Sequence, residues 1–193
     1  MRTEALEALS GDIHLLGGLL GQAIKGLAGE EAFELVEEVR AASKDLRGDA
    51  SPEQARRLRD RLGKLGLGDL RTLIRAFSVY FDLINLAEQQ ARVRAIRAHL
   101  RAADPNRIDE SPESALRQLK ERGIDADQVV EHLQRALICP VFTAHPSEAR
   151  RRTILEKLSS IARQLDRLED SQIVPRERER AIASIAEEVE TLW

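Results

Sequence analysis

Residues 137–153 read LICPVFTAHPSEARRRT, and no other part of the chain resembles this stretch. Leu137 to Thr143 is apolar and β-branched without helical period, and Pro140 inside it lacks a backbone donor. The spacing predicts one short buried strand over these residues. Thr143-Ala144-His145-Pro146-Ser147 then reads as a turn: Pro146 restricts His145 toward extended backbone, while Ser147 and Glu148 offer a cap and a negative charge to a helix starting there. A strand that ends in a His-bearing turn and passes into a helix is a place where rigid elements expose a reactive side chain. Cys139, within the apolar run, reads as a buried small hydrophobe rather than a nucleophile.

On either side the chain is helical. Leu6, Leu9, Ile13, Leu16, Leu20 and Ile24 recur three or four residues apart, and Gly17, Gly18 and Gly21 among them are expected where a neighbour packs closely. Gly29 separates a second helix, about Glu30 to Leu46, with Phe33, Val36 and Val39 inward. Ser51-Pro52-Glu53-Gln54 is a capping-box start. A long central helix, Asp69 to about Ala102, carries Leu70, Leu73, Ile74, Phe77, Phe81, Ile84, Ala87, Ala91 and Ile96 on one broad inward face. Ser111-Pro112 and then Asp125 with Gln128 open two short helices, the first closed by Gly123. After Ser147 the helical period returns in two segments broken at Asp170 and Pro175, with Ile154, Leu158, Ile161 and Leu165 in the first and Ile182, Ile185, Val189 and Leu192 in the second. These predict an antiparallel pair.

Composition agrees with this layout. Of 193 residues, 42% are apolar, 33% charged and only 3% aromatic, a balance that favours Leu/Ala/Ile helices over a β-sandwich, so the chain is expected to be predominantly all-α. Thirty Lys and Arg oppose 33 Asp and Glu for a formal net charge of −3, which leaves no global field to hold nucleic acid or an anionic membrane. The single cysteine rules out an intrachain disulfide and a cysteine-based zinc cluster, and points to a cytoplasmic setting. The N-terminal apolar patch is too short and too acidic for a signal peptide or membrane span.

A histidine at a strand end, with an unperturbed pKa of about 6.5, serves as base, acid, ligand or anion contact. On the residues alone, His145 is either such a group or a satisfied structural histidine. Arg150, Arg151 and Arg152 are expected one turn into the following helix, where successive positions fan out by about 100° and so cannot all face one ligand. His14, His99 and His132 read as structural or surface residues, and no histidine pair has ligand spacing with a third donor, so no metal site is predicted within the chain.

Val141-Phe142-Thr143-Ala144-His145-Pro146-Ser147-Glu148, followed after two residues by Arg151-Arg152, resembles the histidine signature of the phosphoenolpyruvate carboxylases, TAHPT then Glu or Gln, two variable residues and a basic pair. Phe77-Ser78 with Asn85-Leu86-Ala87-Glu88 resembles that family's FS…NLAE helix, and the glycine-rich start with Glu34-Leu35-Val36-Glu37 adds to the likeness. Ser147 stands where threonine is usual and keeps the hydroxyl.

The resemblance implies the N-terminal part of a biotin-independent lyase that joins bicarbonate to phosphoenolpyruvate, giving oxaloacetate and phosphate with Mg²⁺ or Mn²⁺. It implies that His145 is catalytic, that Arg151 and Arg152 lie near substrate phosphate, and that the metal ligands belong to other segments. It also implies a parallel β/α barrel with extra helices, in which residues 1–136 form an N-terminal helical region and residues 137–193 carry the first barrel strand, the histidine loop and a helix pair. The whole enzyme would be a cytoplasmic homotetramer acting on small molecules. The ending at Leu192-Trp193, apolar and without a cap, is expected of a fragment. A competing expectation is a non-enzymatic helical interaction module that docks a partner through the apolar seams of the terminal helix pair.

Overall fold

Periodic apolar residues and local caps set the helices of this chain. The computed structural model describes residues 2–46, 51–101, 111–141 and 150–193, without the side chains of residues 2–5 and of His99. The described elements are helices: α1 (Arg2–Ala28), α2 (Glu30–Asp45), α3 (Pro52–Leu62), α4 (Leu67–Arg101), α5 (Pro112–Glu121), α6 (Ala126–Arg135), α7 (Arg152–Leu168) and α8 (Pro175–Leu192). They fall into two compact units, residues 1–90 with 151–193, and residues 91–150.

In the first unit, α8 packs against both α7 and α1, and α1 against α2. The α7–α8 pair is antiparallel, because Lys157 near the start of α7 pairs with Glu188 near the end of α8 at 2.7 Å. Leu158, Ile161 and Leu165 of α7 and Ala181, Ile185 and Val189 of α8 are buried, with Ile161, Ile185 and Val189 fully inaccessible. The apolar seam expected to dock a partner is therefore closed inside the chain.

The corner between α1 and α2 turns on Gly29, whose φ of 93° lies where a side chain is strained. Lys25 Nζ bridges the corner, 2.6 Å from Glu30 Oε1 and 4.1 Å from the centre of the Phe33 ring. That ring fills the space left by Gly21: a Cβ there would sit 3.0 Å from Phe33 Cε2. A Cβ on Gly17 would meet the Tyr80 ring of α4 at 3.8 Å, an ordinary contact, and one on Gly18 would face open space, so of the three expected close approaches only that at Gly21 exists.

The inward face of α4 coincides only in part with the one its periodicity selects, sharing Leu73, Ala87 and the partly buried Phe77. Leu73, Ala76, Val79, Leu83, Leu86 and Ala87 join the core formed with Leu16, Leu20 and Ile24, whereas Ile74, Phe81 and Ile96 are exposed. Both sides of the helix are apolar, so period alone could not choose between them. Trp193, 7% exposed, closes this unit beneath Arg75, whose guanidinium carbon is 5.2 Å from the ring centre.

Local signals held where the chemistry is local. Ser51 Oγ accepts from the Gln54 amide at 3.3 Å, and Gln54 Oε1 accepts from the Ser51 amide at 2.9 Å. In the second unit the Ser111 hydroxyl accepts from the Ser114 amide to open α5. Asp125 and Gln128 exchange the same reciprocal pair at the start of α6, at 2.8 and 3.1 Å. Gly123 between them has φ 79°. The turn that opens α8 is half a capping box: Glu177 accepts from the Val174 amide, and Val174 has no side-chain acceptor to return.

Hydrogen bonds from Lys157 and Ser160 hold the Glu188 carboxyl below its ordinary 4.5, outweighing the opposing effect of burial. A depressed folded-state pKa contributes stability above the unfolded value that is lost as pH falls through the folded one. Replacing Glu188 by Gln should lower the melting temperature at pH 7 by about 1–4 °C, the scale of a partly exposed ion pair. The gap to the parent should close as pH drops below the carboxylate range, read by circular-dichroism melts across pH. Leu83→Ala should cost about 2–5 kcal/mol in urea unfolding of this chain, whereas Ile74→Ala, on the face that periodicity selects, should cost less than about 0.5 kcal/mol.

Candidate functional site

The candidate site grows out of the segment that follows α6. Ala136, at the C-cap, has extended backbone (φ −72°, ψ 128°), and residues 137–141 continue without regular structure. Leu137, Ile138 and Val141 are 89, 86 and 78% exposed, and Cys139 is exposed as well. The expected buried strand and buried cysteine are therefore absent over these residues. The reason is the pairing requirement: a strand needs hydrogen-bonded neighbours on its edges and packing on its faces, and the described residues contain no other strand. Phe142 to Glu148, with His145 and Ser147, lies outside the described residues, and so does Ala149.

On the far side of the motif the chain becomes helical later than its capping signal suggests. Arg150 and Arg151 are non-helical, Arg151 is the N-cap of α7 with φ −61° and ψ 140°, and Arg152 is its first residue. The three arginines therefore do not share one helical turn, and the cap expected of Ser147 lies outside the described residues. The Arg151 carbonyl accepts from the amides of Ile154 and Leu155 at 3.0 and 3.3 Å, but its side chain offers no acceptor, and the first turn holds no acidic residue. Cations at the positive end of a helix are unfavourable, and an anion placed there would offset both the dipole and the charge.

Arg151 and Arg152, the two arginines singled out from the sequence, are both exposed. Arg152 Nε is 2.8 Å from Glu156 Oε1 one turn on, a solvent-facing pair that holds the guanidinium weakly. Behind them α7 is fixed by its buried stripe and by the Lys157–Glu188 pair. The arginines thus stand on a rigid base while their side chains remain free to reorient.

The other histidines do not enlarge the site. His14 Nδ1 is 2.7 Å from the Ser10 carbonyl and His132 Nδ1 is 2.8 Å from the Gln128 carbonyl, each a contact one turn back along its own helix. Among the described residues, no group of three or more His, Cys, Asp or Glu side chains is placed to hold a metal ion. A shallow groove between α2 and α3, which sequence reasoning did not pick out, is lined by Glu38, Asp45, Arg57, Leu58 and Arg61. Its centre is the paired Arg61–Glu38 bridge at 2.9 and 3.0 Å, which lowers the Glu38 carboxyl and raises Arg61. Arg57, also in the lining, pairs with Glu53 of its own helix at 2.7 Å. No described helix is long and apolar enough to cross a membrane.

Comparison with known proteins matches residues 9–193 to the family model for phosphoenolpyruvate carboxylase. The chain is 41% identical, over its whole length, to the phosphoenolpyruvate carboxylase of Roseiflexus castenholzii, of which it covers 20%. It is 38% identical to that of Rhodothermus marinus over 95% of the chain, again 20% of the relative. Against that of Thermus thermophilus it is 42% identical over 86% of the chain and 19% of the relative. The chain thus spans about a fifth of the length of the curated relatives it matches.

Proposed function

The chain belongs to the phosphoenolpyruvate carboxylase family, and we propose that it is the histidine-bearing segment of an enzyme that forms oxaloacetate and phosphate from phosphoenolpyruvate and bicarbonate. The observation that carries this reading is the family match through residues 9–193, which runs across Thr143-Ala144-His145-Pro146-Ser147-Glu148 and the following Arg151-Arg152.

In this reading phosphate passes from phosphoenolpyruvate to bicarbonate, leaving a pyruvate enolate and carboxyphosphate. His145 takes the proton from carboxyphosphate as it breaks into CO₂ and phosphate, and steadies the CO₂ beside the enolate that captures it. A base with a near-neutral pKa suits that step. Arg151 and Arg152 supply positive charge toward the phosphate, a role supported by their exposure and by their place at the N-terminus of α7, whose first turn holds no acidic residue.

The reaction needs a divalent metal, Mg²⁺ or Mn²⁺, and no biotin. The described residues hold no donor set that fits such an ion, so the roles assigned here are those of His145 and the two arginines alone. Residues 1–136 form the helical region, and residues 137–193 contribute the strand, loop and helix pair at the start of a β/α barrel, with the strand's partners coming from outside this chain. The whole enzyme is a cytoplasmic homotetramer acting on small molecules, with no nucleic-acid or membrane partner. The interaction-module alternative loses its footing because the apolar seam of α7 and α8 is already buried within the chain.

The test is oxaloacetate formation by the full-length protein carrying this segment, followed by coupled reduction to malate. His145→Asn should lower kcat by a factor on the order of 10²–10⁴, the range of a lost general base, with helix content unchanged. A fully active variant overturns the role of His145. The 193-residue chain alone should form no measurable oxaloacetate, and turnover by it would show that the site is complete without the other segments.

A further inference from the structure

Helix α4 carries a second apolar ridge that the core uses only in part, through Phe77. Leu67, Leu70, Ile74, Phe77, Phe81 and Ile84 follow one another at alternating spacings of three and four residues, the pattern of a helix-packing seam, over a length of about 27 Å. At 100° per residue the centre of this ridge lies about 130° around the helix from that of the buried stripe of Leu73, Ala76, Val79, Leu83 and Ala87. Leu67, Ile74 and Phe81 are 82, 68 and 50% exposed, and Leu70, Phe77 and Ile84 are half-buried. The ridge is also ordered: the Phe81 ring centre lies 6.2 Å from that of Phe77 and 5.9 Å from that of Tyr80, which in turn rests on α1 at Gly17.

A helix that is apolar on two sides belongs inside a larger packed structure. We propose that this ridge of α4 is a docking surface for an apolar helix from the part of the family polypeptide that this chain does not span. That part is about four-fifths of the length of the matched relatives, ample to supply one. The six seam residues carry no charge, which excludes nucleic acid and anionic surfaces as the occupant. Fewer than three heptads of seam fall short of what sustains a two-stranded coil between separate chains, so a second copy is disfavoured. The inference rests on the reading of the chain as part of a longer carboxylase.

Thiol accessibility tests it. Cysteine is placed singly at Ile74 or Phe81, with Cys139→Ser, in the 193-residue chain and in the full-length protein that contains it. Labelling by a maleimide is timed in native buffer and in denaturant, with the labelled site identified by peptide mass. In the 193-residue chain both thiols should react at close to the denatured rate; in the full-length protein both should be slowed by about 100-fold or more, as for buried positions that react only through opening. A long protein that folds with the parent residues but not with these thiols, while the short chain tolerates them, also shows the face to be covered. Labelling of the folded long protein at the free rate overturns the inference. Concentration-dependent protection in the short chain, with dimers in sedimentation, overturns it in favour of a second copy. Oxaloacetate formation by the same full-length samples reads the carboxylase assignment independently, so an active protein with an open ridge refutes this inference alone.

Discussion

The first unit depends on the desolvation of one side of α8. Ala181, Ile185 and Val189 are buried on that helix, which packs against both α7 and α1, and Ile185 and Val189 share one core with the fully buried Ile161, Leu165, Leu16 and Ile24. Removing such side chains from water is worth about 1.5–3 kcal/mol each, more than any exposed ion pair on this surface can supply. The polar interactions therefore refine the geometry and do not create it. Lys157–Glu188 fixes the register of α7 on α8, and Lys25 fixes the corner between α1 and α2.

This core gives the proposed chemistry a fixed platform. The arginines at the start of α7 are exposed and weakly held, but the helix under them is anchored along its buried stripe. Substrate-positioning groups are most effective when the backbone is fixed and only the last bonds of the side chain are adjusted by the ligand. The apolar segment 137–141, by contrast, has neither hydrogen-bond partners in a sheet nor a covering face among the described residues. Its residues are those of a strand, and its setting here is not.

How much of this was legible in the sequence follows from how local each cause is. The caps at Ser51, Ser111 and Asp125 were readable because donor and acceptor lie three residues apart and need nothing else. The inward face of α4 was not readable, because Ile74 and Phe81 fit the apolar period as well as Leu73 and Leu83 do, and only the placement of α1 decides. The start of α7 was not legible because its N-cap is Arg151, whose side chain offers no acceptor and so leaves no capping signal in the sequence. Residues 137–141 form no strand here because strand formation is a property of neighbours. The histidine motif was legible as chemistry in a way its geometry was not, since residue types at fixed spacing carry the resemblance.

The first unit is built from two stretches of sequence, residues 1–90 and 151–193, separated by the second unit. That arrangement imposes an order of assembly. The α1–α2 corner, with Phe33 against Gly21 and Lys25 over Phe33, joins residues close in sequence and can close as soon as both helices have left the ribosome. The face of α1 that packs against α8 must stay unsatisfied until residues 151–193 have been made. During synthesis the apolar face of α1 therefore stays open across the whole interval in which residues 91–150 emerge.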